Sequence, residues 1–162
     1  MIFLKEDIDT QELKIVPNTD AEPIQEIVNT FTDEEKEFLV VDGGDYTDGY
    51  NNKNVIKSFV LYIDDVPVSF VDFWQSSYDP SISAVAIGTR NSVEYRCRGY
   101  ASMILDYALN WADEYLEKDS IDFLVNRKNK DFIRIAKELG FEFIGESTTD
   151  KDWLFYNLCL DN

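Results

Sequence analysis

Apolar residues recur along this chain with two periods, three-to-four and two, and the points where one gives way to the other mark its elements. Leu13-Lys14-Ile15-Val16 reads as a strand stopped by Pro17. Beyond the polar turn Asn18-Thr19-Asp20, the spacing of Ile24, Ile27, Val28 and Phe31 predicts a helix. It starts at Ala21 or Glu22, with Asp20 as its cap and Pro23 in its first turn. A second helical segment covers about residues 33–40 behind Thr32 as its cap. Residues 56–63 and 66–74 are apolar on both faces and are joined only by Asp64-Asp65, which predicts an antiparallel hairpin at the centre of a sheet.

Residues 82–89 form the next strand, and a long helix follows whose buried face is Ala101, Ile104, Leu105, Ala108, Ala112, Tyr115 and Leu116. Next come a strand at 121–125 and a helix with its apolar face at Phe132, Ile135, Ala136 and Leu139, stopped by Gly140. Strands opening at Phe143 and Trp153 complete the chain. Ile2-Phe3-Leu4 is a candidate edge strand, and residues 41–54 are a long loop rich in turn formers. The loop's aspartates lack the downstream glutamate of an EF-hand, so no metal site is expected. The order β-α-α-β-β-β-α-β-α-β-β predicts an α/β (α+β) fold in one domain spanning residues 1–162. Its sheet is mixed, mainly antiparallel and of about seven strands, with helices on both faces.

Composition narrows the chemistry. The chain has no histidine, which excludes imidazole triads and most zinc sites and leaves proton transfer to carboxylates, tyrosine, thiol or water. Cys97 and Cys159 are too few for a disulfide framework and read as free thiols. No apolar run approaches a membrane span and no leader-like start is visible, so a soluble, cytoplasmic protein is expected. The net charge is −17, unevenly spread: residues 1–89 balance to −13 and residues 135–162 to −4, while residues 90–134 are neutral and hold all five arginines. An anionic ligand is therefore expected in that middle segment, and general nucleic-acid binding is not.

That segment holds Arg96-Cys97-Arg98-Gly99-Tyr100-Ala101, a loop running from a strand straight into a helix. Free amides and the helix dipole favour a phosphate at such a junction, and Gly99 permits close backbone approach. Arg96-x-x-Gly99-x-Ala101 resembles the pyrophosphate-binding signature of the GNAT superfamily of N-acetyltransferases. The order of elements is similar to the GNAT fold, and Asn129 with Leu139-Gly140-Phe141 resembles a second motif in the helix after its fifth strand.

The resemblance implies a sheet splayed between the fourth and fifth strands and acetyl-coenzyme A as co-substrate. Thr89, Arg90 and Asn91 would pair with the pantetheine amides. The pyrophosphate would lie on the amides of Cys97, Arg98, Gly99, Tyr100 and Ala101, with Arg96 or Arg98 adding charge. Asn129 would reach the pantetheine or the following strand. The loop at 41–54 is expected over the acceptor side.

For catalysis the chain departs from the family pattern, because Ala136 stands where relatives place the tyrosine that protonates the leaving thiolate. Tyr156 and Tyr107 are the phenol candidates in its place, and Asp72 is the candidate base, against core packing for the tyrosines and a solvent-facing strand position for Asp72. The reading is direct acetyl transfer to a primary amine, on a cationic small molecule or a peptide, with a homodimer allowed. The alternatives are a coenzyme-A-binding or interaction protein that has lost catalysis, and an acidic mimic of nucleic acid.

Overall fold

The computed structural model describes residues 12–41, 46 and 49–161. The expected strand at Ile2-Phe3-Leu4 lies outside them, as do Asp42, Asp45 and Asp48 of the long loop. The strands are β1 (Leu13–Pro17), β2 (Val55–Ile63), β3 (Val66–Gln75), β4 (Ile82–Thr89), β5 (Ser120–Asn126), β6 (Glu142–Glu146) and β7 (Trp153–Cys159). They form one sheet in the order β1-β2-β3-β4-β5-β7-β6. β4 and β5 run parallel, and the other pairings are antiparallel. The helices are α1 (Ala21–Val28), α2 (Asp33–Phe38), α3 (Tyr100–Tyr115) and α4 (Lys130–Glu138).

Local chemistry accounts for most of these boundaries. Asp64 and Asp65 both sit at positive φ, 48° and 67°, the geometry that closes a two-residue hairpin. Thr32 and Glu35 form a reciprocal cap on α2, with Glu35 N–H donating to Thr32 Oγ1 at 3.1 Å and Thr32 N–H to Glu35 Oε1 at 2.9 Å. Asp20 occupies the cap position of α1, but its side chain makes no capping bond. α2 ends at Phe38, short of the expected residue 40. It buries no residue of its own, and the chain turns out of the helix so that Leu39 and Val41 reach the core.

The sheet separates two cores. α3 and α4 cover one face over residues such as Phe59, Phe73, Val85, Ile87 and Phe123. α1 covers the other, with Val60, Phe70, Trp74, Ala84 and Ala86 beneath it. β3 pairs with β4 up to Thr89, and β7 pairs with β5 up to Asn126. Yet β4 and β5 meet only from Ile82–Ala84 to Ser120–Asp122. The sheet is thus two well-paired halves that part beyond Ala84.

Candidate functional site

The parting of β4 and β5 opens a cleft of about 590 Å³. Ile87, Gly88 and Thr89 of β4 line it on one side, with the loop and first turn of α3 from Arg96 to Ser102. The start of α4 faces them, bringing Lys128, Asn129 and Lys130, and Phe31, Glu35 and Leu39 border it from the α1–α2 side.

β4 register decides which peptide groups face this opening. Arg90 N–H donates to Val68 carbonyl at 2.7 Å, and Asp119 N–H donates to Ser81 carbonyl at 2.8 Å. With a two-residue period, the peptide groups of Ala84, Ala86 and Gly88 turn toward β3, and those of Val85, Ile87 and Thr89 turn toward the cleft. Gly88 is required by packing: a Cβ there would lie 2.7 Å from Phe70 and 2.8 Å from Phe31, the ring that covers the strand.

The loop into α3 is built from donors. Among the described residues, no peptide N–H from Cys97 to Ser102 has a hydrogen-bond partner. Cys97 at φ 61° and Gly99 at φ 83° bracket Arg98, so the chain takes a left-handed step twice before the helix begins. Such alternation, with a free helix start, turns successive amides toward one concavity. A Cβ on Gly99 would meet nothing within 4 Å, so this space is open to a ligand. A diphosphate fits this donor set.

The arginines divide their roles. Arg96 Nε donates to the carbonyls of Thr89 and Arg90, each at 3.1 Å, its Nη2 donates to Thr89 carbonyl at 2.8 Å, and its Nη1 pairs with Glu35 Oε2. Its guanidinium also lies 5.7 Å from the centre of the Phe31 ring. Burial alone would raise the Glu35 carboxyl, but the Thr32 N–H and Arg96 outweigh it and hold the group below its ordinary range. Arg90 is spent on Pro67 carbonyl at 2.9 Å and Glu26 at 2.8 Å, and Asn91 N–H on Thr30 Oγ1 at 2.8 Å. Neither lines the cleft. Arg98 is exposed beside the cleft, Tyr100 and Ala101 line it in the first turn of α3, and Asn129 caps α4 by accepting Phe132 N–H at 3.2 Å.

The catalytic candidates lie elsewhere. Tyr156 is buried on β7 within the α3–α4 core, its ring 5.6 Å from that of Phe143, and Ala136 is fully buried in the same core. Tyr107 stands half exposed on α3 against Phe59. Asp72 faces the α1-side core and not solvent: it is fully buried, accepting Tyr46 O–H at 2.6 Å, while Tyr46 Oη in turn accepts the Trp74 indole N–H at 2.7 Å. Phenols in the cleft itself belong to Tyr95 and Tyr100. Sequence reading missed Tyr95 as a cleft phenol, and also Glu35 and the lysines. The Thr32-x-x-Glu35 spacing was a visible signal for a cap but not for the Arg96 pair.

Comparison with known proteins agrees on one family. The sequence pattern of the Acetyltransferase (GNAT) family matches residues 23–141. No curated protein sequence matches the chain. Among solved structures, it is similar to an acetyltransferase of the GNAT family from Streptococcus pneumoniae, at 16% identity and TM-score 0.69, covering 92% of this chain and 99% of that one. It is also similar to spermidine N-acetyltransferase from Vibrio cholerae in complex with CoA and spermine, at 13% identity and TM-score 0.68, covering 91% and 95%. A third is an aminoglycoside acetyltransferase in complex with coenzyme A and kanamycin, at 14% identity and TM-score 0.68, covering 91% and 95%. At these identities the structures share the fold.

Proposed function

Because the chain belongs to the Acetyltransferase (GNAT) family, we propose that it moves the acetyl group of acetyl-coenzyme A to a primary amine by direct attack. One observation carries the reading: six consecutive peptide N–H groups, Cys97 to Ser102, stand unpaired among the described residues at the edge of the cleft. When bound, acetyl-coenzyme A supplies an activated acyl carbon. The amides of Cys97 to Ser102 would hold its diphosphate, and the cleft-facing peptide groups of Val85, Ile87 and Thr89 would orient the amide-bearing arm.

The acceptor is a cationic small molecule or a peptide amine. The protein carries a net charge of −17, which attracts a cation and leaves the anion-binding loop as its local exception. Spermine and kanamycin, bound by two structurally similar proteins, are cations of this kind.

Calorimetry with acetyl-coenzyme A, followed by acetyl transfer to spermine, kanamycin and a lysine-rich peptide, tests the reading. Micromolar binding with transfer to at least one amine supports it. Binding without transfer would make the chain a cofactor-binding protein, and absence of binding would overturn the site itself.

A further inference from the structure

Asp122 is a carboxylate placed where the two halves of the sheet part. On β5, Ile121, Phe123 and Val125 point into the core under α3 and α4, so Ser120, Asp122 and Leu124 face the other way. On β7, Leu154 and Tyr156 join that same core, which turns Phe155 and Asn157 to the side of Asp122. The core beneath α1 draws on β2, β3 and β4 and, among the described residues, on none of β5, β6 or β7. This half of the sheet face therefore shares no core with a helix, and Leu124, Phe155 and Asn157 are only half-buried on it.

Trp74, Ala84, Asp122, Asn157 and Glu142 are successive partners across β3, β4, β5, β7 and β6. Ala84 to Asp122 is the last bridge between β4 and β5, so Asp122 stands at the fork. It is 7% exposed. Its Oδ1 accepts the Asn157 amide N–H at 2.7 Å and its Oδ2 accepts the Tyr78 hydroxyl at 2.8 Å.

Both donors are neutral, and no ion pair among the described residues includes Asp122. Strands β3 to β7 carry no lysine or arginine. Lys118, at the foot of β5, is bonded to Gln75 Oε1 at 2.7 Å and Pro80 carbonyl at 2.6 Å. A carboxylate this deeply buried is ordinarily matched by a cation, and one donor on each oxygen leaves lone pairs open on both.

The neighbouring pair on this face is Leu124 and Phe155, in register on β5 and β7 and on the side toward which β4 and β5 diverge. From the fork outward the face thus offers a carboxylate and then apolar surface, which matches an ammonium followed by methylenes. An amine held against a carboxylate keeps its proton and has no lone pair to attack a thioester. The nitrogen that meets Asp122 is therefore not the one acetylated but another on the same molecule.

We propose that Asp122 anchors a second ammonium of the acceptor and so selects small diamines and polyamines over monoamines. The proposal rests on the acetyl-transfer reading above. Leu124 and Phe155 carry the hydrocarbon between the two nitrogens toward the gap between β4 and β5, where the acyl group would arrive. Asn157 and Tyr78 hold the carboxylate in place, each spending one hydrogen bond on it.

Steady-state acetylation of putrescine, spermidine and butylamine by the parent, Asp122→Asn and Glu142→Gln tests the proposal at low and high salt. Glu142 is the exposed carboxylate of the same row, and its removal changes the net charge equally. The parent should favour putrescine over butylamine by roughly tenfold or more in kcat/KM, and the preference should survive high salt, which screens buried pairs little. D122N should raise the KM for putrescine and spermidine by roughly thirtyfold and erase the preference, with acetyl-coenzyme A bound within about threefold of the parent. E142Q should keep the preference. Equal use of butylamine by the parent, a preference retained in D122N, or the same loss in E142Q overturns the proposal while the transfer reading stands. Cofactor binding with no amine acetylated by the parent overturns both. Should D122N fail to fold, the parent decides: a diamine preference that persists in high salt supports the anchor, and one that salt abolishes overturns it.

Discussion

Arg96 closes Nε and Nη2 together on the carbonyl of Thr89, at 3.1 and 2.8 Å. The register of β4 turns that carbonyl toward the cleft, where its partial negative charge would oppose an anionic or carbonyl-bearing ligand. Covering it removes one acceptor from the end of β4 nearest the unpaired amides at the start of α3. The arginine of the loop motif thus acts through the backbone it shields, and Arg98 and the amides are left as the groups free to meet phosphate.

Arg96→Lys is accordingly not conservative. An ammonium cannot hold two carbonyls and Glu35 from one plane. Loss of these charge-assisted bonds should cost roughly 1–3 kcal/mol of stability, read as a fall in urea midpoint. Affinity for acetyl-coenzyme A should fall with it, because the Thr89 carbonyl becomes free. Unchanged affinity in a correctly folded R96K would show that the shielding has no bearing on the cleft.

Gly99 separates stability from binding. At φ 83° an alanine costs about 1 kcal/mol, and the open space around it adds no clash. Gly99→Asp should therefore fold nearly as well as the parent, yet lose acetyl-coenzyme A binding by more than tenfold, since its carboxylate would enter the anion site. Differential scanning fluorimetry beside calorimetry measures both. A tight-binding G99D would remove the diphosphate from this loop.

These contrasts show what the chain order could and could not disclose. The hairpin turn at Asp64-Asp65, the Thr32 cap and the Arg96-to-Ala101 loop were legible because each is set by residues adjacent in sequence. The Glu35–Arg96 pair joins positions 61 apart and was not. Counting back from Arg96 pointed to Thr89, Arg90 and Asn91, but register commits Arg90 N–H to Val68, and the α1–α2 connection supplies Thr30 to Asn91. Asp72 looked solvent-facing from its strand position. What covers it is Tyr46, twenty-six residues earlier in a loop with no period to read.

Glu35 is a carboxylate on the wall of the cleft proposed to hold a diphosphate, which makes the sign of its removal informative. Glu35→Gln keeps the reciprocal cap, because glutamine serves that position as well. It removes one negative charge and releases Arg96 Nη1 toward the cleft. Acetyl-coenzyme A should bind roughly threefold more tightly, the scale of a partly exposed charge effect, and the gain should shrink in high salt. Weaker binding in E35Q would mean that positioning Arg96 outweighs the charge.

Asp72 gives stability an unusual pH dependence. Its carboxyl titrates at about 6 in the folded chain, against 3.8 for an unhindered aspartate, because burial penalises the charged form. Below pH 4 the folded and unfolded chains both carry the proton, and the group costs nothing. Between 4 and 6 the unfolded chain releases a proton that the native state retains, so stability falls as pH rises. Above 6 the penalty is constant at about 3 kcal/mol. Glu35, held below its ordinary range, works in the opposite direction: its contribution is present above the unfolded pKa and lost as pH falls through the folded one. Subtracting Asp72→Asn from the parent at each pH cancels that term and isolates Asp72. Urea unfolding at pH 4, 5, 6 and 7 should show D72N gaining on the parent by about 3 kcal/mol across the window, with most of the change complete by pH 6.5. A difference that stays flat would place the carboxyl in a far more polar setting than its full burial implies.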